Sequence, residues 1–277
     1  MTADGQDASV IVWHGRQPSR IRGILHPGIE WVQLDAAGVD RWLDERLVDR
    51  DRRWTAVHAV YAPDVAEHAV AFVLAAARRF PQAARRTEWR ELDAEPLAGR
   101  TVGLVGAGAI GRETIARLRP FGVRLLAVTR SGRAVEGVDR SLGADGLAEL
   151  LAASDHVVLA VPLTPATRGL IGERELDLLG PRGWLVNVGR GRLVDTDALV
   201  RALDAGRIGG ACLDVTDPEP LPPNHPLWRF ENVLVTPHVA NPPGTIYEPL
   251  ARLVEENVRR FTGGRDLLGE IDPERGY

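Results

Sequence analysis

A glycine-rich segment between residues 101 and 113 has the residue types and spacing of a phosphate-binding turn. It places Gly106, Gly108 and Gly111 in the pattern G-x-G-x-x-G. The first glycine allows a tight turn, the second lets the backbone approach a pyrophosphate, and the third permits close packing of a helix on a strand. An apolar run precedes the motif and a helical pattern follows it. We therefore predict a dinucleotide site that includes Ala109 and Ile110 at the helix N-terminus.

The next apolar run lacks the acidic residue that grips the ribose hydroxyl of NAD. That residue is expected ~20 positions after the motif, and the run instead ends with Val128-Thr129-Arg130-Ser131. No carboxylate repels a phosphate there, and a guanidinium with two hydroxyls can bind one. We predict NADP as the cofactor, with NAD as the alternative and Arg133 assisting. The other interpretation is that both arginines are solvated loop charges.

Four blocks of the chain together resemble the D-isomer-specific 2-hydroxyacid dehydrogenases. They are the glycine turn, Val186-Asn-Val-Gly-Arg-Gly-Arg-Leu-Val-Asp, Leu213-Asp-Val-Thr-Asp-Pro-Glu-Pro-Leu-Pro and Asn232-Val-Leu-Val-Thr-Pro-His. Their order and spacing are more specific than any single block. The resemblance implies that Arg190, Glu219 and His238 form a catalytic trio.

The chemistry of these three residues suits the reduction of a 2-oxo acid. Each follows a predicted parallel strand and so belongs at the carboxyl edge, where sheets of this type bind ligands. An imidazolium at His238 can deliver a proton to the carbonyl oxygen, and Glu219 beside the ring favours that charged form. Arg190 can clamp the substrate carboxylate and polarise the carbonyl.

Each of these residues also has a plainer interpretation. Taken singly, Arg190 could cap a strand end, Glu219 could be exposed in its proline-rich loop, and His238 could be a structural histidine. Asp214 is grouped with the cofactor-binding residues. Electrostatic tuning of the Glu219–His238 pair, helix capping and bracing of a loop all stay open for it.

Two further segments are placed by the resemblance. Val161 and Pro162 resemble the loop that passes under the nicotinamide, although a proline that merely ends a strand is the alternative. Ala37, Gly38 and Val39 resemble the segment whose backbone amides hold the substrate carboxylate, although a simple glycine turn before a helix explains them almost as well.

Short runs that are apolar at every position alternate with helical patterns after residue 99, as in strands buried on both faces of a parallel sheet. The runs are Thr101–Val105, Leu125–Val128, Val157–Val161, Leu185–Val188, Ala211–Val215 and Val233–Val235. The helical patterns are Arg112–Leu118, Leu147–Leu151 and Ala198–Leu203, the last followed by Gly206 in a C-cap position. This alternation predicts an α/β fold with a doubly wound Rossmann sheet.

The flanking residues predict a second, smaller α/β domain. Strands are predicted at Val10–Trp13 and Trp31–Leu34, and helices at Asp64–Phe80, ended by Pro81, and at Tyr247–Phe261, which packs back onto the first domain. We therefore expect residues 94–243 to form the dinucleotide-binding domain, inserted into a flavodoxin-like substrate domain of residues 1–93 and 244–277. The resemblance implies that this substrate domain is shortened at its N-terminus by about one βα unit.

Composition narrows the function classes. The 34 basic residues, all arginine, face 38 acidic ones for a net charge of −4, so we expect no nucleic-acid partner and no lysine chemistry. Arg50 to Arg53 are interpreted as a solvated face. Cys212 is expected to be an inert buried thiol, and the histidine spacing predicts no metal site. Met1 to Val10 lacks a basic leader and the longest apolar run, Ala69–Ala77, is too short to span a membrane, so a cytoplasmic protein is expected.

Two hypotheses of different classes follow. In the first, the chain is an NADPH-dependent reductase of a small 2-oxo acid, such as glyoxylate or hydroxypyruvate. In the second, it is a nicotinamide-sensing binding protein of the same fold without turnover. A related dehydrogenase of formate or phosphite is a third reading. The segment Asp64-Val-Ala-Glu-His-Ala resembles the family's dimer helix and implies a homodimer, although core packing also explains its alanines.

Overall fold

The computed structural model describes residues 7–15, 17–57, 59–274 and 276. The chain forms two compact units, one of Met1–Tyr61 with Pro242–Tyr277 and one of Ala62–Asn241. The second unit is therefore inserted in the sequence of the first, as predicted. Most of the N-terminal segment used to argue against a leader, and His58 among the histidines, lie outside the described residues.

The bounds of the regular elements, in chain order, are as follows. The strands are β1 (Val10–Trp13), β2 (Trp31–Leu34), β3 (Arg53–Thr55), β4 (Thr101–Val105), β5 (Arg124–Val128), β6 (Arg140–Leu142), β7 (His156–Leu159), β8 (Trp184–Asn187), β9 (Gly210–Leu213) and β10 (Val233–Val235). The helices are α1 (Asp40–Asp44), α2 (Ala62–Ala77), α3 (Phe80–Arg85), α4 (Ala109–Leu118), α5 (Leu147–Ala153), α6 (Glu173–Leu179), α7 (Thr196–Asp204) and α8 (Pro243–Thr262).

The larger unit is built on a seven-stranded sheet in the order β10-β9-β8-β7-β4-β5-β6. Every neighbouring pair of strands is parallel. The chain runs from β4 outward to β6, returns to the other side of β4 and continues outward to β10, so the strand order reverses between β4 and β7. The doubly wound α/β fold is confirmed, and ligands bind at the carboxyl ends of strands beside such a reversal.

The core of the larger unit explains its uninterrupted apolar strands. All four residues of β7, β8 and β9 are buried, because helices cover both faces of a doubly wound sheet. Cys212 in β9 is fully buried, and burial raises the pKa of its thiol. The prediction of a buried thiol is therefore confirmed, and a protonated thiol without solvent access is a poor nucleophile.

The smaller unit has a three-stranded parallel sheet in the order β1-β2-β3. Helix α8 packs onto this sheet, as predicted for the C-terminal helix. The ring of Phe261 lies 5.5 Å from that of Trp31, and the amide of Asn257 donates to Gln33 Oε1 at 3.0 Å. A buried polar pair of this kind fixes the register of the helix on the sheet because neither group can be left without a partner.

The predicted C-terminal end of the helix from Asp64 to Phe80 is wrong. Helix α2 ends at Ala77, Arg79 adopts a left-handed φ of 56°, and α3 begins at Phe80. Pro81 therefore lies in the first turn of α3 and does not terminate α2, because the first turn of a helix makes no use of the amide that proline lacks. The predicted C-cap is confirmed: Gly206 follows α7 with a φ of 64°.

The interpretation of Arg50 to Arg53 as a solvated face is wrong for two of its members. Arg53 begins β3 and donates to both carboxylate oxygens of Glu270 at 2.8 and 2.9 Å. The side chain of Arg52 is only 11% exposed and lies 3.1 Å from Asp49. The sequence patterns did not predict the strands β3 and β6 or the helices α1 and α6. These elements are short and carry charged residues, so they contain too few residues for a hydrophobic periodicity to be detected.

The compact units divide the chain earlier than the predicted boundary at residue 93. Helix α2 belongs to the larger unit because it packs against α4, β8 and β9. The assignment of residues 1–93 and 244–277 to a substrate domain stays a prediction. Within the described ranges, no helix combines the length and apolarity needed to cross a bilayer.

Candidate active site

The predicted site residues of the larger unit all follow strands of its parallel sheet. Gly106 follows β4, Thr129 to Ser131 follow β5, Val161 and Pro162 follow β7, Arg190 follows β8, Asp214 and Glu219 follow β9, and His238 follows β10. The carboxyl ends of parallel strands lie at one edge of a sheet, so these segments from six strands share that edge.

The glycine turn has the geometry of a dinucleotide cradle. Gly106 adopts a φ of 100°, and a Cβ there would lie 2.6 Å from the carbonyl oxygen of Ala160 and 2.7 Å from Val161. A Cβ on Gly111 would lie 2.2 Å from the carbonyl oxygen of Gly106, so helix α4 can pack this closely only with glycine. Val161 and the turn are thereby brought together.

Gly108 marks the open side of this cradle. It is the residue before α4, and a Cβ built on it meets no described protein atom within 4 Å. The amides of Ala109, Ile110 and Gly111 form the first turn of α4, and no side chain caps them among the described residues. Open space beside uncapped amides at a positive helix end fits a pyrophosphate.

The end of β5 lies exposed beside the turn's strand. Thr129 is half-buried and its hydroxyl accepts from the amide of Gly132 at 3.1 Å, whereas Arg130, Ser131 and Arg133 are exposed. No acidic residue stands between Val128 and Arg133. The loop therefore offers hydroxyls and positive charge at the position where a 2′-phosphate would be bound.

Arg190 is held by a turn that begins with a buried amide. The Asn187 side chain donates to the carbonyl oxygen of Arg190 at 2.9 Å and accepts from the amide of Gly189 at 3.0 Å. The Arg190 guanidinium donates to the carbonyl oxygen of Gly189 at 2.9 Å. Asn187 is 1% exposed and was not among the predicted site residues. The signal was a lone polar residue that ends an apolar strand.

His238 and Glu219 form a hydrogen-bonded pair at the sheet edge. Nδ1 of His238 lies 2.8 Å from Oε1 of Glu219, and the two side chains are 42% and 32% exposed. The bonding of Nδ1 to a carboxylate selects the tautomer with the proton on Nδ1 in the neutral ring. Nε2 is then the nitrogen that carries the lone pair. The pairing expected from the sequence is present.

Asp214 braces the turn that carries His238. The His238 backbone has a left-handed φ of 53°, which is costly for a residue other than glycine. The carbonyl oxygen of Asp214 accepts from the His238 amide at 2.8 Å, and its carboxylate accepts from the amides of Val239 and Ala240 at 2.9 and 3.1 Å. Thr236 donates to the same carboxylate at 2.5 Å. Among the open alternatives for Asp214, these bonds favour loop bracing.

The segment of Ala37, Gly38 and Val39 lies in the smaller unit between β2 and α1. Val39 precedes α1, its side chain is 2% exposed in the core of that unit, and its carbonyl oxygen accepts from the amide of Leu43 at 3.0 Å. These contacts explain Val39 as a helix-leading core residue. The predicted role of the segment in binding a substrate carboxylate stays a prediction.

The larger unit thus combines a phosphate cradle, a forked cation and a histidine paired with a carboxylate at one sheet edge. Within the described ranges, no group of three or more histidine, cysteine or acidic residues could hold a metal ion. A Rossmann sheet with a glycine turn at this edge defines a dinucleotide-binding protein.

Comparison with known proteins identifies the family. Residues 70–240 match the model of the D-isomer specific 2-hydroxyacid dehydrogenase, NAD binding domain. The protein belongs to this family and is an oxidoreductase of the 2-hydroxyacid dehydrogenase type. The family resemblance predicted from the four sequence blocks is confirmed.

Three similar proteins show how far the likeness extends. An uncharacterized protein in the proB 3′ region of Corynebacterium melassecola is 38% identical over 99% of this chain and 91% of its own. Glyoxylate reductase from Thermofilum pendens is 37% identical over 89% of this chain and 74% of its own. A D-isomer specific 2-hydroxyacid dehydrogenase from Xanthobacter autotrophicus, solved with NADPH and MES, is 33% identical, with a TM-score of 0.88 over 100% of this chain and 90% of that one.

Proposed function

We propose that the protein is an NADPH-dependent reductase that converts a small 2-oxo acid to its D-2-hydroxy acid. The observation that carries this proposal is the His238–Glu219 pair at the sheet edge that also holds Arg190 and the glycine turn. Proton donor, carboxylate clamp and cofactor cradle are the three parts that this reduction requires.

The residues around the glycine turn fit NADPH. Gly106, Gly108 and Gly111 with the first amides of α4 would hold the pyrophosphate. Thr129, Arg130 and Ser131 would bind the 2′-phosphate, and the solved relative from Xanthobacter autotrophicus contains NADPH. The cofactor, when bound, supplies the hydride. Val161 and Pro162 are proposed as the wall beneath the nicotinamide.

The chain's own groups would supply orientation and the proton. Arg190 would hold the substrate carboxylate in a bidentate pair and withdraw electron density from the neighbouring carbonyl. His238 would deliver the Nε2 proton to the carbonyl oxygen, and Glu219 would stabilise the imidazolium through Nδ1. In the reverse direction the same ring would accept the proton of the hydroxyl group.

Glyoxylate and hydroxypyruvate are the proposed substrates, because similar proteins are named glyoxylate reductase and glyoxylate/hydroxypyruvate reductase A. The test follows oxidation of NADPH and NADH by absorbance with a panel of 2-oxo acids from glyoxylate to phenylpyruvate. Faster turnover of NADPH with a small acid, and chiral analysis of the product as the D isomer, would support the proposal. NADPH binding without turnover of any acid would refute it and favour the nicotinamide sensor.

A homodimer is also proposed, from the resemblance of the α2 segment to the family's dimer helix. Ten residues of α2 are buried within the single chain, so most of its alanines serve core packing there in any case. Light scattering after size-exclusion chromatography tests the dimer directly: a mass near 60 kDa is expected from a chain of 30.2 kDa, and a mass near that of one chain would reject it.

A further inference from the structure

His68 of helix α2 contacts Thr236, in the loop that carries His238. Its Nε2 is 3.1 Å from the hydroxyl oxygen of Thr236 and 3.5 Å from Oδ1 of Asp214. The His68 side chain is 20% exposed and that of Asp214 is 2% exposed. The ring of Phe72, one helical turn further along α2, meets the His68 ring edge to face with centroids 4.4 Å apart. These contacts hold the imidazole in one orientation.

The direction of the hydrogen bonds follows from the number of protons. A hydroxyl group has one proton, and Thr236 gives it to the carboxylate of Asp214. The hydroxyl oxygen can then only accept, so Nε2 of His68 must be the donor to Thr236. His68 thus donates a hydrogen bond to Thr236, and Thr236 donates one to Asp214. In such a series each hydrogen bond polarises and strengthens the next.

The protonation of His68 agrees with this direction. Burial lowers the pKa of His68, and the opposing attraction of Asp214, the charged group that acts on it, is smaller. The ring is therefore neutral near pH 7, with its proton on Nε2. A neutral donor satisfies Thr236 without adding a buried charge beside Asp214.

Asp214 has little freedom to move without changing the His238 turn. Its backbone carbonyl and both carboxylate oxygens bond to the successive amides of His238, Val239 and Ala240. A left-handed residue persists only when its surroundings determine it, and here Asp214 supplies those bonds. Any group that orients the Asp214 carboxylate consequently also orients the His238 ring.

We propose that His68 is a positioning residue for His238, acting through Thr236 and Asp214. The proposal rests on the reductase function proposed above and adds a residue outside the expected trio. His68 touches neither substrate nor cofactor in this role. Its effect is to hold the proton donor at the angle that the reaction needs, and misplacing such a group lowers kcat more than it alters substrate binding.

The experiment compares His68→Leu, which cannot donate, with His68→Gln, whose amide can. Glu67→Gln, at an exposed residue of the same helix turn, is the matched control. We expect His68→Leu to lower kcat about tenfold with KM nearly unchanged, because one buried hydrogen bond is lost. His68→Gln should retain kcat within roughly threefold, and Glu67→Gln should match the wild type. An equal loss in the Leu and Gln variants would show a packing role and overturn the proposal.

Thr236 provides a second route to the same answer if His68→Leu does not fold. Thr236→Val keeps the shape and removes the hydroxyl, whereas Thr236→Ser restores the hydroxyl. We expect the Val variant to reproduce the loss in kcat and the Ser variant to rescue most of it. Wild-type kcat in Thr236→Val would contradict the proposed chain of donors.

A readout without turnover separates this inference from the proposed function. NMR signals of the His238 ring, recorded in the cofactor-free protein, should shift in His68→Leu and Thr236→Val and stay in place in Glu67→Gln. If the wild type reduces no 2-oxo acid and these shifts occur, the reductase proposal fails and the positioning role stands. Unmoved His238 signals in both variants would overturn the positioning role whatever the activity.

Discussion

His238 and Glu219 meet from two separate loops, with Nδ1 of the imidazole 2.8 Å from Oε1 of the carboxylate. The loops follow β10 and β9, which are neighbours in the sheet with parallel strands. Residues 19 apart in the chain thus form one hydrogen-bonded pair because adjacent parallel strands end side by side.

Removal of the proton donor should stop the chemistry and spare cofactor binding. We expect His238→Ala to lower kcat about 10³-fold, the usual size of a general acid's contribution, with the Kd for NADPH changed less than about twofold. Steady-state kinetics and fluorescence titration of NADPH measure the two effects. His26→Ala, in a turn of the smaller unit, is the control and should leave both unchanged. Retained turnover in His238→Ala would show that another group gives the proton.

Replacing the partner of His238 should slow the reaction. In Glu219→Gln the His238 ring loses the carboxylate that accepts from Nδ1 at 2.8 Å and fixes the orientation of the ring. We therefore expect kcat for reduction to fall by roughly a hundredfold, with the Kd for NADPH changed less than about twofold. Steady-state kinetics and fluorescence titration of NADPH measure the two effects. Wild-type kcat in Glu219→Gln would mean that the pair has no role in proton delivery.

The forked cation of the site should not be replaceable by a simple positive charge. Arg190→Lys keeps the charge and loses the planar pair of donors, so we expect a fall of roughly a hundredfold in kcat/KM for the 2-oxo acid. Arg192→Lys, two residues along the same loop, is the matched control and should change kcat/KM less than about threefold. Equal effects of the two substitutions would argue against a carboxylate clamp at Arg190.

Cofactor preference should depend on the end of β5. Arg130→Asp replaces the proposed phosphate ligand by the residue type that grips a ribose hydroxyl, so the ratio of the NADPH and NADH dissociation constants should shift toward NADH by roughly a hundredfold. Arg124→Asp introduces the same charge change at the opposite end of the same strand and controls for net charge. A similar shift in both variants, or none in Arg130→Asp, would refute a phosphate site at Arg130.

Buried His156 should make the fold sensitive to acid. Burial lowers its pKa from 6.5 to about 4, since the charged form is poorly solvated at the start of β7. As the pH falls from 6.5 toward 4, His156 becomes protonated in the unfolded chain but stays neutral in the folded chain. The free energy of unfolding therefore decreases over that pH range. The loss attributable to this residue is about 3 kcal/mol. Below the lower value both states are protonated and the contribution no longer changes.

The test for His156 compares chemical denaturation of the wild type and His156→Leu at pH 7 and pH 4.5. The variant should lose less stability than the wild type between the two values, because leucine binds no proton. His26→Leu is the control, and its loss should parallel that of the wild type. Parallel losses in all three proteins would exclude His156 as an acid-sensitive group.

Much of the fold could be predicted from the chain alone. Runs such as Thr101–Val105 and Val233–Val235 have the predicted bounds, because uninterrupted apolar residues between turns are typical of buried parallel strands. Short charged elements could not be predicted: Arg53 pairs with Glu270, a partner 217 residues away, and no local pattern records that pairing. The end of α2 was missed for a similar reason, since Pro81 is compatible with either a helix end or a helix start.

The sequence by itself determined the chemistry available to this protein: the glycine spacing, the lack of an acid after β5, and the presence of Arg190, Glu219 and His238 in the family's order. These features consist of residue types and spacings within short segments, so they can be read directly from the sequence. The tertiary structure alone decided which groups support that chemistry. Asn187 holds the Arg190 turn, and Asp214, Thr236 and His68 stand behind His238. These side chains act through hydrogen bonds between segments that are distant in the sequence. Such bonds form only when the fold brings the carboxyl ends of parallel strands together.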